Sequence, residues 1–302
     1  MENWIKNRPE LFFYSPYSFI REISEKTHLE AILLPQLQNP DFLHKKFVFE
    51  GYEYVFVSQF LAWDTAFFKA KTYKLLFVLF ENKKFLDKAV LAYKTYLKTE
   101  LQADYCFIEV PSEDTAVLQA LSQNGFSLIE TRLTYFRSDL QSFDYQRFGV
   151  RKAELLDIPN LEKVASQMRN IYDRFHADNF FSQEIADRFL SEYVAQAVRG
   201  FSDVVLVPHE KNVPPDGFLS GNYLKKDWEK LGVKVSKMVL SAVAPTCKGW
   251  YIKLISELTY HLKEQGADYI FMNTQSTNRA VFRTWEKLGY QLGSTTHILA
   301  FR

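Results

Sequence analysis

Glycine is scarce in this chain: there are 11 among 302 residues, about half the usual share of roughly 7%. Loops that cradle phosphate on successive glycines therefore have little material to be built from. Cysteine is nearly absent. Cys106 and Cys247 have no short-range partner and no CxxC pair occurs, which argues against a disulfide framework and a cysteine-based zinc site. Six histidines stand at 28, 44, 176, 209, 261 and 297 without an HxxxH pair, so no metal is expected. Neither sign of charge is in excess: Lys plus Arg is 37, Asp plus Glu 36. A net charge of +1 gives no bulk attraction to nucleic acid or to an anionic membrane. The longest strongly apolar run, Leu75 to Phe80, is far short of the ~20 residues that span a bilayer. Charges interrupt the opening MENWIKNRPELFF at once, unlike a secretory signal. A cytoplasmic protein is the expectation.

What is present is core material. The chain is 47% hydrophobic, with 27 Phe and 17 Tyr, and long enough for about two domains at ~150 residues each. The aromatics do not interleave with a basic stripe, as nucleic-acid surfaces require. GxGxxG, Walker, GxSxG and HExxH strings are all missing, which removes the corresponding nucleotide, hydrolase and zinc-protease readings.

The chain repeats itself. Residues 103–131 (ADYCFIEVPSEDTAVLQALSQNGFSLIET) and 267–295 (ADYIFMNTQSTNRAVFRTWEKLGYQLGST) align without a gap at an offset of 164, with ten of 29 positions identical. Each copy reads as a buried strand, cap-type residues, an amphipathic helix closed by Gly125 or Gly289, and a further strand. Two related halves follow, divided between Phe136 and Val150: a domain over 1–145 and another over 146–302. The second half opens on a helix with Asp157 as N-cap and apolar spacing through Tyr172. Strands are expected near 204–207, 218–223 and 237–244, with the charged KKDWEKLGVKV as an exposed hairpin loop. A helix capped by Gly266 and the repeated unit complete it. In the first half, Trp63 reads as core and Asp64 as a cap.

This order resembles the GNAT superfamily of N-acyltransferases. The segments VRKAELLDIPNLEKVAS (150–166), VLSAVAPTCKGWYIKLISE (239–257) and QSTNRAVFRTWEKLGY (275–290) carry the likeness. LAWDTAFF (61–68) and RFHADNFFS (174–182) point within it to the branch related to TDP-fucosamine acetyltransferase, which fuses a degenerate half to an intact one. The implied fold is α/β, a mixed and largely antiparallel sheet flanked by helices. The implied reaction passes an acyl group from acetyl-CoA or another acyl-CoA to a small amine, an amino sugar or nucleotide sugar among the candidates.

The resemblance also assigns residues. Lys248, Gly249, Trp250, Tyr251, Ile252 and Lys253 align with the loop whose backbone N–H groups and helix N-terminus hold the cofactor pyrophosphate. Tyr251 and Lys253 stand where that family has small residues. Val243 lies on the strand expected to face the pantetheine arm, where a bulge would aim N–H groups at the thioester. Asn278 sits near that arm, or is a plain N-cap. Trp285 occupies the place of the tyrosine that protonates the leaving thiolate. An indole N–H is no usable acid near neutral pH, and losing a general acid costs ~10²–10⁴ in rate. For the acceptor, His176 is a candidate base, with Arg174 and Asp178 as binding groups; the plainer reading is a helix end with local hydrogen bonds. The first half has Lys84-Phe85-Leu86-Asp87-Lys88-Ala89 where a phosphate loop would fall, and reads as structural. Two other functions stay open: a non-catalytic binding protein on this fold, and an acyltransferase fed by a carrier protein.

Overall fold

The computed structural model describes residues 8–302; the charged opening at 1–7 lies outside them. The chain forms two compact units. One comprises the residues up to Arg132 together with Ser294–Arg302, the other Leu133–Gly293.

The first unit begins with short helical turns over 9–14 and 25–37. Then come β1 (Leu43–Phe49), β2 (Tyr52–Phe60), α1 (Ala62–Phe68), β3 (Thr72–Phe80), α2 (Leu86–Thr99), β4 (Tyr105–Pro111), α3 (Thr115–Gln123) and the start of β5 (Ser127–Arg137). Strands β1, β2 and β3 are antiparallel neighbours, and β3 runs parallel to β4. Apolar side chains of this sheet, among them Tyr54, Phe56, Leu75 and Ile108, pack on Val90, Tyr93, Leu97 and Leu121 of α2 and α3. Trp63 is not core: it is 50% exposed and stacks on Phe67 at 5.0 Å. Lys69, which ends α1, has φ +53°, a left-handed conformation that glycine adopts without cost.

The second unit holds β6 (Val150–Lys152), α4 (Ile158–Gln167), α5 (Arg174–Ala177), α6 (Gln183–Gln196), β7 (Val204–Pro208), β8 (Gly217–Asn222), α7 (Lys225–Leu231), β9 (Val235–Val243), α8 (Trp250–Glu264), β10 (Tyr269–Gln275), α9 (Arg279–Lys287) and the start of β11 (Gln291–Phe301). Its strand order is β5-β10-β9-β8-β7-β6; β6, β7, β8 and β9 are antiparallel neighbours, and β9 runs parallel to β10. Helices α8 and α9 bury Trp250, Leu254, Leu258 and Trp285 on one face. Helices α4 and α6 bury Leu161, Val164 and Val194 on the other. The architecture is mixed α/β, with a largely antiparallel sheet flanked by helices.

Three local expectations are corrected. KKDWEKLGVKV is no hairpin loop: it holds α7, closed by Gly232 at φ +71° and tied down by Trp228 Nε1 donating to the Val235 carbonyl at 2.9 Å. The first helix of this unit stops at Gln167, leaving Ile171 and Tyr172 exposed. Two further helices, α5 and α6, lie between it and β7. Asp157 stands at the helix start but does not cap it by side chain; its carboxylate takes both ends of the Arg151 guanidinium, at 2.7 and 2.8 Å.

The repeat is wider than the sequence identity. Helices α2 and α8 begin at 86 and 250, β4 and β10 at 105 and 269, α3 and α9 at 115 and 279, β5 and β11 at 127 and 291, always 164 apart. The final strands are exchanged. Residues 296–301 of β11 pair with β4 in the first unit, burying Leu299 and Phe301 there. The end of β5 serves the second unit, where Tyr135 joins the core.

Candidate functional site

The site elements all belong to the second unit. Strands β9 and β10 pair only at Tyr269↔Val235, Ile270↔Ser236 and Phe271↔Lys237, although both run on, to Val243 and Gln275. Beyond Lys237 the two strands part. In the same stretch β9 is bulged against β8: the register steps from Gly221↔Met238 to Leu219↔Ser241, so three residue steps on β9 face two on β8. Ser220, fully buried, closes the bulge. Its Oγ accepts from the Leu240 N–H at 3.0 Å and donates to the Leu240 carbonyl at 3.2 Å. The bulge turns Ser241 and Val243 to the α8 face, while Leu240 and Ala242 join the core on the α4 face.

Helix α8 starts beside this opening. Its N-cap, Gly249, has φ +87°, which an L side chain rarely adopts. The first-turn N–H groups have no intrahelical acceptors and carry the positive end of the helix dipole. Lys248 and Gly249 are exposed. The preceding turn is pinned by Asp216, whose carboxylate accepts from Thr246 at 2.8 Å and from Asn160 at 3.0 Å.

The two bulky residues of the turn both point away from it. Lys253 lies over the rings of Trp250 and Phe148, at 4.5 and 4.7 Å, with its Nζ 3.8 Å from Glu210. Tyr251 turns inward, where its Oη accepts a hydrogen bond from Trp285 Nε1 at 2.8 Å. Ile252 packs against the apolar core. Burial pushes the Tyr251 hydroxyl well above its ordinary value, and hydrogen bonds with Trp285 and Ser241 work against that rise. Trp285 is itself 3% exposed, fixed edge-on by Tyr135 at 5.5 Å. Asn278 begins α9, yet its side chain makes no capping bond.

The candidate acceptor residues are bound up locally. Asp173 caps α5, taking the N–H groups of Phe175 and His176 at 2.9 and 3.0 Å. His176 Nδ1 pairs with Asp173 at 2.7 Å and Nε2 with Asp187 at 3.1 Å. Burial depresses the imidazole, but the hydrogen bonds and charges of the two carboxylates outweigh it, and the net shift is upward. A ring whose two nitrogens both face carboxylates has no lone pair for an amine. His176 therefore braces Asp173 against Asp187. Asp178, 1% exposed, accepts from the Phe180 N–H at 3.0 Å. The Arg174 guanidinium lies over Phe175 at 4.3 Å.

Sequence reading missed Ser220, Ser241 and Asp216, and also the polar residues on the last turn of β10. Asn170 donates to Gln275 at 2.7 Å, tying the α4–α5 connection to that strand, and the buried Asn273 Oδ1 has no partner. The one available signal was a lone hydroxyl inside an apolar strand, as in FLSGN and VLSAV. Among the described residues no group of three or more His, Cys, Asp or Glu could hold a metal, and no helix is long and apolar enough to cross a membrane.

No family model matches the chain, and no curated protein matches it. Solved structures do. A GNAT-family acetyltransferase from Colwellia psychrerythraea is 12% identical at a TM-score of 0.53, over 99% of this chain and 97% of that one. A GCN5-related N-acetyltransferase from Sphaerobacter thermophilus is 11% identical at 0.56, over 84% and 82%. The glucosamine N-acetyltransferase region of a fungal multi-domain β-N-acetylglucosaminidase is 13% identical at 0.62, over 100% of this chain and 37% of that one. At such identities the likeness is one of fold, and the fold is that of the GNAT acetyltransferases.

Proposed function

We propose that the chain is an N-acyltransferase that moves an acyl group from an acyl-CoA to the amine of a small molecule, working in the cytoplasm. The observation that carries this reading is the parting of β9 from β10 beside a helix start from which Tyr251 and Lys253 both turn away. Fold alone does not fix function; an opening next to unsatisfied N–H donors supplies the chemistry. Backbone N–H groups of 250–252, with Lys248, would take the pyrophosphate. Val243 and Asn278 would flank the pantetheine arm.

In the reaction the amine nitrogen attacks the thioester carbonyl. The C–N bond forms, the C–S bond breaks, and the thiolate takes a proton. Holding the two reactants together supplies much of the rate. With His176 engaged on both nitrogens, the amine gives up its proton to solvent. Arg174 and Asp178 shape the acceptor side. An amino sugar, free or on a nucleotide, is the acceptor class we favour, in keeping with the branch that includes TDP-fucosamine acetyltransferase. The first unit acts as a structural partner to a 146–302 catalytic half.

Glu210 near Lys253 and Asp216 under the turn favour a second reading, since carboxylates there oppose a bound anion. On that reading the donor is a carrier protein, or the fold binds a ligand without catalysis. Calorimetric titration with CoA and acetyl-CoA at moderate salt separates the readings. Micromolar binding supports the acyl-CoA enzyme; no binding at millimolar ligand overturns it.

A further inference from the structure

We infer that Ser112 and His297 form a nucleophile–base pair in the first unit, with Thr131 orienting the imidazole, and that this pair hydrolyses small carboxylic esters through an acyl-serine. The inference is independent of the acyl-CoA reading. All three residues belong to the first unit, whose part in acyl transfer is structural.

Three strands bring the group together. β4 ends at Pro111 and α3 begins at Thr115, so Ser112 stands in a strand-to-helix turn. His297 lies on β11, paired with Val110 of β4, and Thr131 lies on β5. His297 Nε2 is 3.1 Å from Ser112 Oγ, and its Nδ1 is 3.1 Å from Thr131 Oγ1. A nucleophile within reach of a base that a third group holds is the arrangement of covalent catalysis. It is recognised by geometry rather than by sequence position; the string here is VPSED, not GxSxG. The three residues are half-buried and their neighbours Glu113 and Thr115 are exposed, so the group lies at the surface. The fold does not require it. By the 164 offset, Ser276 answers to Ser112 and Thr295 to Thr131, but Leu133 stands where His297 would fall.

In the tautomer with its proton on Nδ1, the imidazole donates to Thr131 and presents the Nε2 lone pair to Ser112. The serine proton then has two acceptors, Nε2 and the Thr295 carbonyl, each at 3.1 Å. In the reaction Ser112 Oγ attacks the ester carbonyl carbon while Nε2 takes its proton. The oxyanion forms beside the start of α3, where the N–H of Glu113, the residue after the nucleophile, is the donor. Collapse breaks the ester C–O bond, and the alcohol leaves with the proton from Nε2. Water repeats the steps on the acyl-serine, releasing the acid and restoring the serine. A hydroxyl steadies an imidazolium less well than a carboxylate does, so labelling by a reactive probe is a surer sign than fast turnover.

The full chain is treated with a fluorophosphonate, whose P–F bond a serine oxygen displaces, and the modified residue is mapped by peptide mass spectrometry. Release of nitrophenolate from p-nitrophenyl acetate reads turnover. Wild type should be phosphonylated at Ser112 and should release nitrophenolate faster than Ser112→Ala. His297→Gln should label about 10²-fold more slowly or worse, the loss expected with a general base. Thr131→Val, which keeps both the serine and the imidazole, should fall between the two. Absence of label on Ser112 in wild type overturns the inference. So does labelling of His297→Gln at the wild-type rate, since Ser112 is then not activated by the imidazole. Equal nitrophenolate release from wild type and Ser112→Ala overturns the hydrolysis. Melting curves check that each variant folds. Should His297→Gln not fold, labelling of Thr131→Val at the wild-type rate is the result that overturns the pair.

Discussion

Arg8 reaches across 106 residues of sequence to hold the carboxylate of Asp114 at the start of α3. Its other guanidinium nitrogen donates to the Val78 carbonyl of β3 at 2.8 Å, and the group lies 3.9 Å over Phe80. Strands β3 and β4 also stop pairing early, at Leu75↔Ile108. By the strand registers, Thr72↔Tyr105 and Val235↔Tyr269, Val78 and Phe80 answer to Ser241 and Val243. By the 164 offset, Asp114 answers to Asn278. Arg8 thus binds at first-unit positions whose second-unit counterparts are Ser241, Val243 and Asn278.

Removing Arg8 should be costly. Asp114 is 1% exposed, and Tyr14 alone, at 2.8 Å, would remain on its oxygen. Arg8→Ala is expected to lose about 3–5 kcal/mol, as for one partner of a buried ion pair. Adding Asp114→Asn should return part of that loss. Urea unfolding of the two variants checks it; a loss below 0.5 kcal/mol, the scale of an ordinary surface change, would show that Arg8 does not hold a buried ion pair with Asp114.

The His176 brace predicts a pH dependence. Its pKa is raised in the fold, so the protonated ring favours the folded state. That contribution is complete below the unfolded value of about 6.5 and is lost as pH rises through the higher folded value. The stability gap between wild type and His176→Gln should therefore narrow from acid to alkaline pH. A gap that stays constant in melting curves across that range would exclude the paired cation.

Two glycines should differ. A Cβ at Gly249 meets nothing within 4 Å, whereas one at Gly289 would lie 2.0 Å from Arg137 Nη1. To yield, Arg137 would have to give up its bond to the Leu288 carbonyl. Gly249→Ala should cost only the left-handed strain, about 1–2 kcal/mol. Gly289→Ala should cost more, seen as a lower thermal midpoint than that of Gly249→Ala.

Ser220→Ala should test the bulge. It would strand the Leu240 N–H and carbonyl in a buried site, at about 1–3 kcal/mol for each unsatisfied group. The expected result is a stability loss with weakened CoA binding, because the bulge sets which face Ser241 and Val243 present. Chemical denaturation and calorimetry on one preparation read both effects.

Much of the fold was legible. Gly125 and Gly289, at φ +81° and +76°, marked both helix ends, because only glycine takes that conformation freely. Apolar periodicity placed β7, β8 and β9 within two residues. The misses have physical causes. Helix α7 was hidden by its charge, since Trp228 anchors it through a single tertiary hydrogen bond. His176 looked available because sequence shows Asp173 three residues away but cannot show Asp187 folding back to take the second nitrogen.

The residues by themselves determined local conformation, through caps, turns and the period of apolar side chains, and their internal likeness determined that the chain is built twice. Tertiary structure alone decided that the last strands are exchanged between units, that Tyr251 meets Trp285, and that Arg8 reaches Asp114. Those depend on distance in space between residues far apart in sequence, and on which polar groups burial obliges to find partners.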